Sequence, residues 1–213
     1  MAVNLNTSKS SEIYGEKTQI IWGQETIREG VLDYEFSLSP RAFYQLNPEQ
    51  TEVLYSEAVK ALDVSPEDHL IDAYCGVGTI GSPLRTRSRA YEGWTLSLKR
   101  LRMLSTMLSR WGLIIPTTKL GRLRKSSLAG TKKAIGRMQL LWIHHGQDWG
   151  IQLIDTLLRY APQKMVYVSC NVSTLARDLV DLTKVYDVVY IQSVDMFPHT
   201  ARTEAVVKLV KKA

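Results

Sequence analysis

A cysteine and a glycine-rich turn are the two features of this sequence whose residue types could do chemistry. Cys170 follows residues 165–169, a short apolar run typical of a buried strand. A free cysteine in a reducing compartment is either a small buried hydrophobe or a nucleophile, and only its thiolate attacks. Position alone leaves both roles open for Cys170.

The glycine-rich turn spans residues 72–81 and reads Asp-Ala-Tyr-Cys-Gly-Val-Gly-Thr-Ile-Gly. It ends a short apolar strand predicted at residues 69–73, which is typical of the opening of a doubly wound α/β domain. Glycines let the backbone approach a nucleotide-like cofactor, and an acid at the strand end fixes the turn. A tight turn without a ligand and an NAD site fit the same pattern, but the Asp-Ala-Tyr-Cys-Gly order favours S-adenosylmethionine. The residues expected at that cofactor are Asp72, Tyr74, Gly76 and Gly78.

Composition limits the class of protein. A chain of 213 residues with 45% hydrophobic content fits one domain of ordinary size with a small appendage. The two cysteines, Cys75 and Cys170, are too few for a four-cysteine zinc or iron–sulfur site within the chain. No apolar run is long enough to cross a membrane and no signal pattern begins the chain. We therefore expect a cytoplasmic protein with no membrane contact.

Apolar spacing predicts short strands and helices on both sides of the glycine-rich turn. Alternating runs predict a β-rich segment over residues 17–38. Asn47 can cap a helix that begins at Pro48 and runs to about Leu62. The apolar face of this helix is predicted to comprise Val53, Leu54, Ala58 and Leu62. Beyond residue 150 the predicted order is a helix at 151–160, a strand at 165–169, a helix at 173–182, and strands at 186–194 and 205–210.

Residues 82–147 differ in composition from the rest of the sequence. They contain fourteen Lys or Arg residues and a single acid, Glu92, which gives a local charge of +13. The other 13 basic and 20 acidic residues give −7, so the net charge of +6 comes from this one block. The charge is therefore not evidence of a nucleic-acid surface. Apolar spacing in the block fits neither strand nor helix burial, so we expect it to pack badly or to be disordered.

Three segments of the chain resemble the S-adenosylmethionine-dependent RNA (uracil-5-)-methyltransferases, which make 5-methyluridine. Residues 169–178 (SCNVSTLARD) are similar to the nucleophile motif of that family, 195–204 (DMFPHTARTE) to its C-terminal motif, and 39–48 (SPRAFYQLNP) to the segment ahead of its catalytic domain. The resemblance covers about residues 17–81 and 150–213. Val172 replaces a common Pro and Arg202 a common His, and the family's N-terminal RNA-binding β-barrel and cluster-binding cysteines are absent. The chain thus resembles a member truncated at its N-terminus.

The resemblance implies a fold, a cofactor and a substrate. The implied fold is α/β: a doubly wound, Rossmann-like class I methyltransferase domain at residues 40–213, behind a short β-rich remnant of the central domain at residues 1–39. The implied cofactor is S-adenosyl-L-methionine, contacted by Gln45 as well as by the glycine-rich turn. The implied partner is RNA, with 23S ribosomal RNA as the first choice and transfer RNA as the second.

The resemblance also implies Cys170 as nucleophile and Glu204 as general base. Uracil C5 is a poor nucleophile, and a thiolate adding at C6 turns the ring into an enolate whose C5 can attack a methyl group. A base must then remove the C5 proton so that the thiol can leave. No metal is expected: His199 is assigned a structural hydrogen bond because no ligand partner sits at metal spacing. Arg177 and Asp178 are expected to form an ion pair on the helix surface without a catalytic role.

The block at residues 82–147 has the composition of a gene read out of frame. Ser, Leu and Arg, which have six codons each, make up 28 of its 66 residues. When the last base of each codon is joined to the first two of the next, residues 93–100 can yield Met-Asp-Ile-Ile-Pro-Glu-Ala. Residues 141–148 can yield Val-Asp-Pro-Pro-Arg-Thr-Gly in the same frame. The first product resembles an acidic strand end that binds a ribose, and the second resembles the substrate-side loop of an RNA methyltransferase.

Loss of these two motifs predicts little or no activity from the chain as written. Two alternatives to an active methyltransferase therefore remain open. One is an inactive frameshifted relative, and the other is a non-catalytic basic RNA-binding module. Binding of S-adenosylmethionine by the purified protein separates an active methyltransferase from an inactive relative. Salt-sensitive RNA binding without Cys170 and Glu204 would favour the binding module.

We predict a one-base insertion or deletion near codon 81 and a compensating change near codon 148. Sequencing the gene across both junctions tests this, because the adjacent reading frame should encode both motifs between them. A nucleotide sequence in which neither alternative frame encodes those motifs would show that the block is native.

Overall fold

The computed structural model describes residues 1–9, 14–73, 79–81, 84, 87–88, 90–93, 138–144, 154–155, 157–159 and 161–213. In chain order the elements are β1 (Ala2–Leu5), β2 (Lys17–Ile20), β3 (Ile27–Val31), β4 (Tyr34–Leu38), α1 (Pro48–Leu62), β5 (His69–Asp72), β6 (Ala90–Gly93), β7 (Met138–His144), β8 (Lys164–Ser169), α2 (Val172–Leu182), β9 (Tyr186–Val194) and β10 (Glu204–Lys211). Within the described residues, no helix is long and apolar enough to span a membrane.

Six of these strands form one mixed sheet in the described part of the chain, in the order β6-β5-β7-β8-β10-β9. The first four in that order run parallel to one another. Strand β10 enters antiparallel between β8 and β9, although it is the last strand in sequence. Parallel neighbours need long crossover connections, which helices supply in α/β proteins.

Helical layers cover both faces of the sheet, so its central strands are buried on both sides. Along β8, Val166 and Val168 pack in the core that contains α1, whereas Met165 and Tyr167 pack in the core that contains α2. Side chains alternate between faces along a strand, and here both sets are apolar or aromatic. The predicted doubly wound α/β architecture is confirmed.

Helix α1 is fixed at its start by the predicted cap. The Asn47 side chain accepts a hydrogen bond from the Gln50 backbone N–H at 3.2 Å and donates one to the Met196 carbonyl at 2.9 Å. The buried face of α1 contains Leu54, Ala58 and Leu62 as predicted, but Val53 is 46% exposed. The buried face also contains Thr51, Tyr55 and Ala61.

The N-terminal strands form two separate antiparallel hairpins, β1–β2 and β3–β4. Val31, Phe36 and Leu38 of the second hairpin are buried in the same cluster as the apolar face of α1. The sequence predicted strands over residues 17–38 and did not predict β1. The domain boundary after residue 39 stays a prediction.

Most elements beyond residue 150 match the sequence prediction. Strands β8, β9 and β10 include the predicted strands, and α2 begins one residue before the predicted start. Residues 154–155 and 157–159 are helical, within the predicted helix at 151–160. Local apolar patterning therefore suffices for this part of the chain.

The expectation that the whole of 82–147 packs badly is wrong for two segments. Strands β6 and β7 lie inside this block, and both form parallel ladders with β5. Gln139, Leu140 and Leu141 of β7 are buried. A central parallel strand is covered on both faces and needs a continuous apolar run, so the absence of alternation was not evidence against a strand. Leu84 is also buried in the core, and apart from Arg87 and Ser88 the rest of the block lies outside the described residues.

We predict that Asn47→Ala lowers the free energy of unfolding by about 1–2 kcal/mol, because it removes a helix cap and a link to Met196. Urea denaturation measures the change. Ser56→Ala, at an exposed position of the same helix, is the control and should stay within about 0.5 kcal/mol of the parent. Equal stability of the two variants would show that the cap contributes nothing.

Candidate functional site

Three of the predicted site residues lie at the edge of the sheet where its parallel strands end. Asp72 is the last residue of β5, and Cys170 directly follows β8. The β8–β10 ladder ends at the pair Ala205–Ser169, and Glu204 and Cys170 are the next residues beyond that pair on each strand. The carboxyl ends of parallel strands form one edge of a sheet, which is the usual ligand-binding edge in open α/β folds. The structure therefore brings Asp72, Cys170 and Glu204 to the same edge.

Burial raises the pKa of both members of the predicted catalytic pair. The pKa of the half-buried Cys170 thiol is raised first by burial and then by the charge of Glu204. A backbone hydrogen bond and the charge of Arg202 act in the opposite direction on the Cys170 pKa. Burial also raises the pKa of Glu204 to about 7. A carboxyl group with a pKa near neutrality can both accept and release a proton under physiological conditions.

The backbone around Cys170 is held by its two neighbours. The Ser169 hydroxyl donates to the Asn171 carbonyl at 3.0 Å and accepts from the Asn171 N–H at 3.3 Å. The Asn171 side chain caps α2 by accepting from the backbone N–H groups of Ser173 at 3.0 Å and Thr174 at 3.1 Å. Cys170 thus lies in a short turn with its strand side and its helix side both hydrogen-bonded.

The predicted cofactor residues are described only in part. Gln45 and Asp72 are buried, with 8% and 1% of their surface exposed. The Ala73 N–H, just beyond Asp72, donates to the Leu141 carbonyl at 2.9 Å, which joins the start of the glycine-rich turn to β7. Tyr74, Gly76 and Gly78 lie outside the described residues, so their predicted roles stay predictions.

Tyr55 is a buried residue near the candidate site whose contacts the sequence did not predict. It is buried on α1, and its hydroxyl accepts a hydrogen bond from the Thr79 hydroxyl at 3.1 Å. Its pKa is raised to about 12, first by burial, while the bond from Thr79 lowers it and the charges of Asp72 and Glu204 raise it. Tyr55 therefore lies close to the predicted cofactor acid and to the predicted base. From sequence, it appeared only as one more residue of an amphipathic helix.

Arg177 and Asp178 form the expected ion pair, but the expectation that it lies on the helix surface is wrong for Asp178. The pair exists, with Arg177 Nη2 at 3.0 Å from Asp178 Oδ1, but the Asp178 side chain is only 1% exposed. Its other oxygen accepts a hydrogen bond from the buried Tyr167 hydroxyl at 2.9 Å. Asp178 is on the face of α2 that packs on β8. Its position next to Arg177 in the sequence did not indicate this burial.

His199 adopts a left-handed backbone conformation, with φ at 71°, in the loop between β9 and β10. Its assigned structural hydrogen bond stays a prediction. Within the described ranges, no group of three or more His, Cys, Asp or Glu side chains is placed to hold a metal ion.

The chain is similar in sequence to curated bacterial proteins. No protein-family model matches it. It is 59% identical over 212 residues to an uncharacterized RNA methyltransferase of Streptococcus pneumoniae, and 51% identical over 215 residues to one of Lactococcus lactis. These alignments cover the whole of this chain but 47% and 42% of the relatives, so the chain spans about half the length of the curated relatives it matches.

The chain is also similar to solved structures. The tRNA (uracil-54, C5)-methyltransferase of Pyrococcus abyssi, crystallised with S-adenosyl-L-homocysteine, matches with a TM-score of 0.66 and 28% identity. That match covers 97% of this chain and 49% of the other. The M. jannaschii tRNA m1G37 methyltransferase matches with a TM-score of 0.54 at 12% identity over 92% of this chain and 61% of its own, which shows a shared fold alone. The chain is thus a homologue of proteins named RNA methyltransferases, and the expected class I methyltransferase fold is confirmed.

We predict that Glu204→Gln becomes more stable relative to the parent as pH rises from about 5 to about 8. Burial raises the pKa of Glu204 from 4.5 to about 7, so the folded protein binds this proton more tightly than the unfolded chain. The stability that protonation gives is complete below about 4.5 and is lost as pH rises through about 7. Glutamine does not titrate, so the variant escapes this loss.

Urea denaturation of parent and variant at several pH values measures the difference in free energy of unfolding. Glu25→Gln, at an exposed position, controls for the removal of one negative charge. A Glu204→Gln difference that does not change with pH would contradict the burial of this carboxyl group.

Proposed function

We propose that this chain carries the catalytic region of an RNA (uracil-5-)-methyltransferase, which transfers a methyl group from S-adenosylmethionine to C5 of a uridine. The observation that carries the proposal is that Glu204 and Cys170 both lie directly beyond the last pair of the β8–β10 ladder, Ala205 and Ser169. The name of the Pyrococcus abyssi protein, a tRNA uracil-C5 methyltransferase, supports the same reaction. Together they account for a cysteine and a buried acid at the ligand-binding edge of the sheet.

The reaction needs a nucleophile that attacks C6 of the uracil ring and a base that removes the proton from the neighbouring C5. The Cys170 thiolate forms a bond from Sγ to C6 of uracil, and the ring electrons move onto the C5–C4–O4 system as an enolate. After C5 gains the methyl group, the Glu204 carboxylate removes the C5 proton. The electrons of that C–H bond restore the C5–C6 double bond and expel the Cys170 thiolate. Attack at C6 and deprotonation at C5 suit two side chains on paired strands.

The described residues fit the proposed cofactor. Gln45 and Asp72 are buried polar side chains, and Asp72 lies directly before the glycine-rich turn. At such a strand end the backbone can approach a nucleoside. These two residues would hold polar groups of S-adenosylmethionine. When bound, the cofactor supplies the electrophilic methyl group that C5 attacks.

The proposed substrate is a uridine in RNA, with ribosomal RNA as our first choice and transfer RNA as the second. The transfer RNA candidate gains support from the name of the Pyrococcus abyssi protein. A target base in folded RNA is stacked, so it has to come from a loop or be extruded into the site. Methylation assays with the two purified RNA classes separate the candidates.

The proposed function is tested best by trapping the covalent intermediate. In 5-fluorouridine RNA the base cannot remove fluorine from C5, so the protein–RNA adduct accumulates after methyl transfer. Two proteins are compared: the chain as written, and a chimera in which the Streptococcus pneumoniae relative supplies the segment aligned with residues 82–147.

We predict that the chimera forms a denaturation-resistant RNA adduct and that Cys170→Ala abolishes it. Glu204→Gln should accumulate adduct even on ordinary uridine, because the C5 proton is then not removed. Ser56→Ala is the control and should behave as the parent chimera. Absence of an adduct in the chimera, or methyl transfer that survives Cys170→Ala, would overturn the proposal.

We predict that the chain as written forms about 100-fold less adduct than the chimera, because misplaced positioning groups cost about that much in rate. Electrophoresis of labelled RNA measures both. Equal adduct formation by the two proteins would show that residues 82–147 are compatible with catalysis.

A further inference from the structure

A buried polar network joins β8 to α2 behind the Cys170 turn. Asp178 is 1% exposed and Tyr167 is fully buried. The Tyr167 hydroxyl donates to Asp178 Oδ2 at 2.9 Å, and Arg177 Nε and Nη2 each approach Asp178 Oδ1 at 3.0 Å. A buried carboxylate needs such partners, because desolvation without them costs several kcal/mol.

The same network reaches the residues on either side of Cys170. Ser169 lies close enough to the Tyr167 phenol to lower its pKa, against the larger effect of burial. The Ser169 hydroxyl in turn contacts both the carbonyl and the N–H of Asn171. The chain between Tyr167 and Asp178 contains the whole turn, so a bond between these two residues closes the segment that carries the thiol.

Packing alone does not require this network. Tyr186 lies in the same core cluster as Tyr167 and is equally buried, and its hydroxyl has no hydrogen-bond partner among the described residues. A tyrosine can therefore fill this core without a polar contact. Buried ion pairs can often be replaced by apolar side chains without loss of stability, whereas a satisfied polar network can favour one geometry over its alternatives.

We propose that Tyr167 and Asp178 are positioning residues that hold the Cys170 turn, so that the thiol faces Glu204 and the target base. This inference rests on the proposed role of Cys170 as nucleophile. Neither residue touches a reacting atom. Their bond ties the middle of α2 to β8, and these two elements flank the turn that carries Sγ.

The test is the pH dependence of alkylation at Cys170 in the full chain, read by mass spectrometry of the peptide that contains it. Burial raises the pKa of this thiol, so a loosened turn that admits water should lower that pKa. We predict that Tyr167→Phe moves the alkylation profile to lower pH and raises the rate at neutral pH by about 3–10-fold, because only the thiolate reacts. Asp178→Asn keeps an acceptor oxygen for Tyr167 and should give a smaller shift.

Two controls separate positioning from general destabilisation. Tyr186→Phe removes a buried hydroxyl without a partner, and Leu182→Val weakens the same core at the far end of α2. Both should keep the parent profile. Identical profiles for Tyr167→Phe and Tyr186→Phe would overturn the proposal. If Tyr167→Phe does not fold, Asp178→Asn decides: a shift to lower pH supports the proposal, and an unchanged profile overturns it.

This experiment needs neither cofactor nor RNA, so its failure differs from failure of the proposed function. A chimera that forms no RNA adduct would reject uracil methylation and leave the alkylation comparison intact. Conversely, a Cys170-dependent adduct together with unshifted alkylation profiles would reject the positioning role alone.

Discussion

The antiparallel pairing of β10 with β8 is the constraint on which the candidate site depends. Cys170 and Glu204 are far apart in sequence, and each would be unremarkable in a surface loop. The register that sets Ala205 opposite Ser169 puts both at the end of a shared ladder. Because a shift by one residue would turn Glu204 to the other face of the sheet, the buried apolar residues of β10 also fix the chemistry. Val206, Val207 and Leu209 are fully buried and supply that restraint.

Burial by the surrounding core then determines how the two groups hold their protons. The pKa values of Cys170 and Glu204 are both raised, and burial is the first cause in each case. The arrangement therefore keeps a neutral thiol and a readily exchanged carboxyl proton beside each other. An ordinary exposed glutamate would be ionised at neutral pH and would oppose formation of a neighbouring thiolate more strongly. The sheet therefore positions Cys170 and Glu204, and burial by the packed layers raises their pKa values.

Helix α1 connects the parts of this edge that come from distant segments. Asn47 binds the Met196 carbonyl, in the connection that leads from β9 to β10, and Tyr55 binds Thr79 at the end of the glycine-rich turn. Gln45 directly precedes this helix in sequence and is buried. Helix α1 and its cap therefore contact two parts of the candidate site: the glycine-rich turn, through Thr79, and the connection that leads to Glu204, through Met196.

Sequence patterns predicted those parts of the structure that local periodicity determines. A helix cap predicted α1, a short apolar run predicted β8, and amphipathic spacing predicted α2. The motif resemblance indicated Cys170 and Glu204 as candidate catalytic residues. Strand β7 was missed because a strand buried on both faces shows no alternation, and its surrounding block has an unusual composition. The burial of Asp178 and the hydrogen bond between Tyr55 and Thr79 depend on partners in other elements, which a single sequence does not place. The register between β8 and β10 likewise could not be predicted from the sequence, because it depends on the pairing of two distant segments.

The most direct measurement of the central claim is disulfide formation between Cys170 and a cysteine introduced by Glu204→Cys. Directly opposed residues in antiparallel strands have Cα atoms about 4.5–5.5 Å apart, within the range that a disulfide spans. We predict that mild oxidation links the two positions, as shown by mass spectrometry of the joined peptides. Ala205→Cys should not react, because neighbouring side chains of β10 point to opposite faces of the sheet. Failure of Glu204→Cys to link to Cys170, or equal linkage from Ala205→Cys, would contradict the register on which the site is built.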